Sequence, residues 1–351
     1  MNVNMTLLDC TIRDGSYAVD FKWTQEDVAK IITRLERLRF EYIEIGHGLG
    51  LNASSSKYGY SLLSDLEYMN IARENLKKSK YGFFCIPNIA NLDDIKKAKN
   101  NGVSFLRVGI NADTPELAVP YIREAKKNGL EVMTNYMKSY AVSCNDFVKA
   151  ALIAADNGAD AVYIVDSAGC MVADDIKRIR DAVKNASDIK LGFHGHNNIG
   201  LAVSNSLLCA QLGFDFIDCT FQGLGRSIGN ASSEQLIMAL KKYDFCKDVD
   251  IPCLLEWGYD SIRNVIPEKC IYHPLDLICG YTGFHSSFLK DIYKCCNEKH
   301  VDPMRLIIAY CEKNKLSMDY DLLCKCADSL RKDNDENPYS FRKYFSDKYN
   351  D

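Results

Sequence analysis

The stretch Gly192-Phe193-His194-Gly195-His196-Asn197-Asn198 sets two histidines two residues apart in a short apolar run. On a strand, residues i and i+2 share a face, so both imidazoles can aim at one point. Two neutral histidines and a carboxylate make a common divalent-metal site, and the best-placed carboxylate is Asp14, in Leu7-Leu8-Asp9-Cys10-Thr11-Ile12-Arg13-Asp14-Gly15. The competing reading is one hydrogen-bonded core histidine beside a solvent-facing one; an available aspartate favours metal. Arg13 and Asp14 also admit two readings, a surface ion pair or a cation placed beside a metal. Neighbours in an extended segment point in opposite directions, so a direct Arg13–Asp14 pair is not expected. An arginine near a bound metal calls for an anionic partner, such as a substrate carboxylate or a developing enolate.

Such groups need a scaffold that converges strand ends. Short β-rich runs recur at Thr6 to Asp9, Tyr42 to Ile45, Gly82 to Ile86, Phe105 to Val108, Glu131 to Asn135, Ala161 to Val165, Lys190 to His194 and Phe216 to Thr220. Helical periodicity lies between them, as in Val28, Ile31, Ile32, Leu35 and Leu38, opened by a Thr24/Asp27 capping pair. Gly102, Gly129 and Gly158 stand where helices end in a left-handed cap. Eight strands alternating with helices over about 240 residues predict an α/β fold, a (β/α)8 TIM barrel. A doubly wound sheet is disfavoured because "CTIRDGS" is no phosphate-binding glycine loop.

After about Lys247 the alternation gives way to helices, for example Met304 to Asn314 and Asp319 to Arg331. The expected organisation is a catalytic barrel over 1–260 and a small helical C-terminal region over 261–351, ending in the polar tail "DNDENPYSFRKYFSDKYND". In a barrel the strand ends carry the chemistry. They deliver Arg13 and Asp14 from the first strand, His47 from the second, Arg107 from the fourth, Asn135 from the fifth, Asp166 and Ser167 from the sixth, and His194 and His196 from the seventh. The eighth leads through "GLGRSIGN" to Asn230, a loop that reads equally as a tight turn or as a closure over a ligand.

Composition excludes several classes. The 351 residues carry a formal net charge of −4, with no basic footprint for nucleic acid, and the lysine pairs read as solvated helix faces. The N-terminus lacks a signal-peptide pattern and no apolar run reaches the roughly 18–20 residues of a membrane span, which places the protein in the cytoplasm by expectation. The 15 cysteines are scattered through apolar segments and read as buried reduced thiols; Cys295-Cys296 and Cys324-x-Cys326 are weak exceptions.

The quoted motifs, with "IEIGHGLGLNASSSKYGY", "IVDSAGCM", "GFHGHNNIGLAVSNSLLCAQLGFDFIDCTFQGLGRSIGNASSEQL" and "GYTGFHSSFLKD", resemble the 4-hydroxy-2-oxovalerate aldolases. These belong to the metallolyase superfamily that includes hydroxymethylglutaryl-CoA lyase and isopropylmalate synthase. The resemblance covers most of residues 5 to 295. It implies a class II aldolase that holds Mn²⁺ or Mg²⁺, with Zn²⁺ or Co²⁺ as further candidates, and splits a 4-hydroxy-2-oxoacid into pyruvate and an aldehyde.

Carried over, Asp14, His194 and His196 match the metal ligands, Arg13 the enolate-stabilising arginine, and Ser167 a serine near the substrate. Asn230 matches a ligand of the CoA-lyase branch, with a weaker claim in the aldolases. His47, Arg107 and Asn135 are the expected substrate contacts. The expected partners are the 2-oxoacid and aldehyde, without nucleic acid or membrane, in a homodimer. Nothing in the sequence indicates the acylating aldehyde dehydrogenase that serves many relatives.

The chain departs from the aldolase pattern in three places. Tyr17 stands where the aldolases have a histidine, His285 stands where they have a tyrosine, and Leu49 replaces an aspartate. The exchange predicts that Tyr17 and His285 face each other as a traded acid/base pair, with His285 the better base because a tyrosine ionises near pH 10; the competing reading is that Tyr17 is only an aromatic wall, with metal-bound water as the base or the aldolase activity lost. The alternatives are an acyl-CoA condensation or lyase on the same metal site, a non-haem iron oxygenase, and a non-catalytic metal-binding relative. Against the first, Arg226 and Ser227 occupy the place of a CoA-lyase cysteine. Against the second, facial-triad oxygenases usually use antiparallel scaffolds.

Overall fold

The computed structural model describes residues 5–269 and 272–333. Its first compact unit runs to Val249 and the second starts at Asp250, eleven residues before the expected start of the C-terminal region at 261. The reason is local: Asp250 accepts a hydrogen bond from Cys253 N and so caps the helix Ile251–Arg263, which opens the second unit.

The first unit is a closed, all-parallel barrel in sequence order, β1 Thr6–Asp9, β2 Tyr42–Ile45, β3 Lys80–Cys85, β4 Phe105–Asn111, β5 Glu131–Met137, β6 Ala161–Asp166, β7 Lys190–Gly195 and β8 Phe216–Cys219. β8 closes on β1 through the register Leu7↔Ile217 and Leu8↔Asp218. β4 and β5 outrun their apolar runs because they stay paired as far as Asn111↔Met137. The Thr24/Asp27 capping box forms, and Gly102, Gly129 and Gly158 adopt φ of 91°, 70° and 92° at their helix ends.

Inside the barrel, Leu8, Tyr42, Phe105, Met133, Ala161, Tyr163 and Phe216 pack into one apolar cluster. Gly82 and Gly192 make room for it, since a Cβ there would lie 2.3 Å from the Phe105 ring and 2.4 Å from the Tyr163 ring. Two residues further along several of these strands the apolar residue becomes a polar one: Tyr42 is followed by Glu44, Phe105 by Arg107, Met133 by Asn135 and Phe216 by Asp218. All four are buried.

The second unit contains the helices Ile251–Arg263, Pro274–Thr282, Leu289–Lys299, Pro303–Cys311 and Tyr320–Asp328. Proline in the first turn starts three of them, and Asp302 and Asp319 cap the last two. Most of the polar tail lies outside the described residues. Among the described residues, no helix is long and apolar enough to cross a membrane.

Candidate metal centre and active site

The chain leaves β1 in a helical turn, Thr11–Gly15, rather than an extended segment. Asp9 starts the turn by accepting from Thr11 N and Thr11 Oγ1 at 2.8 and 2.9 Å, and Asp14 N then donates to Cys10 O. This overturns the expectation that Arg13 and Asp14 point apart. Arg13 Nη1 donates to Asp14 Oδ1 at 2.7 Å, a pair that an extended chain would not allow.

His194 at the end of β7 and His196 just beyond it converge with Asp14 as predicted. One ligand atom from each lies within 4.8 Å of the others, and all three residues are buried. The glycine-rich loop closes against them. His196 and Asn230 share an antiparallel bridge, and Asn230 Nδ2 donates to Asp14 Oδ2 at 2.6 Å. Gly225 permits this approach, because a Cβ there would sit 2.4 Å from Asn230 Nδ2 and 2.8 Å from Asp14 Oδ2.

The donor set fits a divalent cation. His196 Nδ1 and Asn230 Oδ1 are buried acceptors without a protein partner among the described residues, and such atoms are costly unless something binds them. Burial alone would raise the Asp14 pKa, but Arg13, His196, His194 and the Asn230 hydrogen bond hold it well below the usual carboxylate range. Burial lowers the His196 pKa and favours its neutral, ligating form. Asp14, His194, His196 and Asn230 could therefore hold the metal.

Behind them runs a buried chain of alternating charge. Arg13 Nε donates to Glu44 Oε2 at 2.7 Å, and Arg107 Nη1 donates to the same oxygen at 3.0 Å. Arg107 Nη2 donates to Asp218 Oδ2 at 2.5 Å, and that oxygen lies 2.7 Å from His194 Nδ1. Burial pushes the Asp218 pKa up, yet Arg107 and His194 together pull it below the ordinary carboxylate value and the group stays ionised. An ionised Asp218 keeps the His194 proton on Nδ1 and leaves Nε2 as the ligand, the arrangement typical of metal-bound histidines. Asp14 and His194 are thus joined through Arg13, Glu44, Arg107 and Asp218.

Cys10, His194 and Asp218 also lie within ligand distance of one another. Arg107 already supplies their cation, with Nη1 3.3 Å from Cys10 Sγ, and burial raises the thiol well above its ordinary value. That cluster supports the site and does not suit a second metal.

The pocket above the triad has a polar floor of Arg13, Asp14, His194 and His196 and an apolar wall of Leu49, Phe84, Ile86, Met137 and Val165. Tyr17, Asn135, Ser167 and Arg226 also line it. Arg13 lies over the Phe84 ring at 4.8 Å, and its Nη2 has no partner among the described residues. Asn135 Oδ1 accepts from Arg107 Nε at 3.2 Å, while Ser167 Oγ accepts from Lys138 N at 3.0 Å. A wider cleft near Met5, Phe40 and Val249 gathers no comparable chemistry.

Two expected substrate contacts lie elsewhere. Arg107 is fully buried with its donors committed, and it acts on the pocket only through Asn135 and Asp218. His47 stacks on Phe21 at 4.0 Å, accepts from Leu49 N through Nδ1 and places Nε2 3.2 Å from Gly59 O; both nitrogens pin the loop that carries Leu49. His285 belongs to the second unit, where its exposed ring caps the turn Ser286–Phe288 through Ser287. Glu44 and Asp218 are absent from the sequence-based candidates, and Arg226 enters there only as standing in the place of a CoA-lyase cysteine. For the first two the signal exists: a lone charge within a buried strand, in "YIEI" and "FIDC".

Fold and site define the class, a barrel enzyme with a candidate divalent-metal centre at the ends of its strands. The sequence pattern of the HMGL-like family matches residues 4–258, and the chain belongs to that family of lyases. A 4-hydroxy-2-oxovalerate aldolase of Carboxydothermus hydrogenoformans is 32% identical over 95% of this chain and 99% of its own length. An oxaloacetate decarboxylase of Mycobacterium tuberculosis is 34% identical over 80% of this chain and 83% of its own. The crystal structure of the Bacillus subtilis HMG-CoA lyase superposes with a TM-score of 0.64 at 18% identity, covering 75% of this chain and 94% of that one, a likeness of fold.

Proposed function

We propose that this chain is a divalent-metal-dependent aldolase that cleaves or forms a 4-hydroxy-2-oxoacid, with pyruvate and an aldehyde as the two halves. The observation that carries the reading is Arg13: Glu44 and Asp14 fix its guanidinium beside the Asp14/His194/His196 triad, and one nitrogen is left to face the pocket. A divalent cation held by the triad supplies Lewis-acid polarisation of the 2-oxo group. Mn²⁺ or Mg²⁺ is the proposed ion, with Zn²⁺ or Co²⁺ as alternatives, and the cytoplasm the proposed location.

In cleavage, the 4-hydroxyl loses its proton, its oxygen forms the aldehyde carbonyl, and the C3–C4 electron pair moves into an enolate. A proton then reaches C3 and gives pyruvate. Arg13 Nη2 is a preorganised donor for the charge that grows on the enolate oxygen, and it stabilises the transition state more than the ground state. Asn135 and Ser167 orient the substrate. Burial raises the Tyr17 pKa, with Asp14 adding to the rise and Arg13 and Arg226 opposing it, so Tyr17 stays protonated at neutral pH. It therefore suits hydrogen bonding to the 4-oxygen and, in condensation, donation to the nascent alkoxide.

The decarboxylase relative favours a second reading, in which loss of CO₂ from oxaloacetate generates the same enolate. The test is pyruvate release from a panel of 4-hydroxy-2-oxoacids and from oxaloacetate, by protein stripped with chelator and reloaded with Mn²⁺. The aldolase reading expects release from the hydroxyoxoacids only after reloading. Release from oxaloacetate alone would replace it with the second reading. With metal retained, Tyr17→Phe should slow turnover by roughly 10²-fold or more. His285→Ala at parental rate would remove His285 from the exchanged pair.

A further inference from the structure

We infer that Arg226 reads a second anionic group on the substrate, at the end away from the 2-oxoacid, so that the aldehyde half carries a carboxylate or a phosphate. The inference rests on the aldolase reading above and adds to it the class of aldehyde. Arg226 sits in the glycine-rich loop next to Gly225, the residue pressed against Asp14 and Asn230. It lines the same pocket as the metal triad, but it is exposed at the mouth while Arg13 and Asp14 are buried at the floor.

Its side chain is uncommitted. Arg13 and Arg107 are paired with Asp14, Glu44 and Asp218, whereas no carboxylate among the described residues pairs with Arg226. Its one contact of note is with the Tyr17 ring, 5.5 Å from the guanidinium carbon. A cation over an aromatic face leaves the guanidinium N–H donors unused, and those donors suit a carboxylate or phosphate.

The charge balance points the same way. Three guanidinium groups, Arg13, Arg107 and Arg226, match three carboxylates, Asp14, Glu44 and Asp218. A bound divalent ion leaves two positive charges over. The 2-oxoacid carboxylate neutralises one, and a distal anion beside Arg226 neutralises the other. That anion must lie beyond the bond that breaks. Were it the carboxylate leaving as CO₂, Arg226 would stabilise the charged ground state and oppose its departure.

The experiment compares metal-loaded wild type with Arg226→Ala and Arg226→Lys in condensing pyruvate with matched aldehydes: succinic semialdehyde against butanal, and glyceraldehyde 3-phosphate against glyceraldehyde. The wild type should prefer the anionic member of one pair, and the pair that responds identifies carboxylate or phosphate. In Arg226→Ala the ratio of kcat/KM, anionic over neutral, should fall by roughly tenfold to a hundredfold, the scale of a lost charged hydrogen bond; Arg226→Lys should recover part of it. A readout without turnover is the calorimetric affinity for 2-oxoglutarate relative to 2-oxopentanoate, which should fall in the same variant. Ratios that Arg226→Ala leaves unchanged in both measurements overturn the inference. Failure of the wild type to condense any aldehyde overturns the aldolase reading instead, and the calorimetric ratio then decides the anion site alone.

Discussion

The barrel interior holds two layers built by the same strands. The lower one is apolar, with Tyr42, Phe105, Tyr163 and Phe216 as its bulk. The upper one, two residues further along, is a ladder of charge through Glu44, Arg107 and Asp218. Both are buried to a similar degree, with Phe105 and Arg107 each 0% exposed. The lower layer needs only shape, and glycines at Gly82 and Gly192 tune that shape. The upper layer has to satisfy each charge with the next, and well-packed apolar side chains of similar volume would often hold a fold as well or better. Its retention is understandable because its two ends are metal-ligand candidates, Asp14 and His194.

Breaking the ladder at its centre should have the largest effect. Arg107→Met fills the space but leaves Glu44 and Asp218 buried without their shared cation, and should destabilise the fold by about 3–5 kcal/mol in chemical denaturation. Stability equal to or above wild type would mean that the ladder is merely tolerated. Metal affinity should fall as well, since Asp218 would lose the cation that helps to keep it ionised for His194.

A second group of buried acids sharpens the contrast, because it lacks an arginine. Burial pushes Asp9 up to about 8 and Glu234 up to about 7, and neutral donors hold both: Thr11 for the first, Ser232 and Gln222 for the second. Their folded pKa values lie above the unfolded ones, so the folded state keeps its protons longer. Stability fully present below the unfolded value is lost as pH rises through the folded one. For Glu234 the window runs from 4.5 to about 7, and the loss amounts to up to roughly 3 kcal/mol. Glu234→Gln should flatten the fall in Tm across that window. An unchanged slope in calorimetric scans would assign it to other groups, Asp9 first.

The layers also explain what the sequence revealed. Strand–helix alternation and the H-x-H pair at His194 and His196 are periodic signals, and they led directly to the barrel and the triad. Whether Arg107 points to substrate or into the ladder depends on depth along the strand axis, which periodicity does not encode. The Arg13–Asp14 pair was hidden because a helical turn follows β1 where an extended exit was expected, and that turn is set by Asp9, itself inside an apolar run. Spacing alone leaves the loop to Asn230 evenly balanced between a tight turn and a closure over a ligand, since the glycine-rich stretch after β8 has no period to extrapolate, and the family resemblance adds the metal-ligand role.

The smallest effect expected is the most direct test of whether the layers are separable. Phe105→Leu removes part of a ring that packs on Tyr42 at a centroid distance of 5.2 Å and lies over Gly82. The loss should be about 1 kcal/mol, because leucine refills much of the volume and no polar group is exposed. Arg107 lies two residues away on the same strand and keeps its partners in Glu44, Asp218 and Asn135, so kcat and metal affinity should stay at wild-type values. A drop in kcat beyond about threefold, with the metal still bound, would show that the aromatic layer sets the height of the charge ladder as well as supporting it. In that case Gly82 would be the position to change next, since any side chain there must displace the same ring.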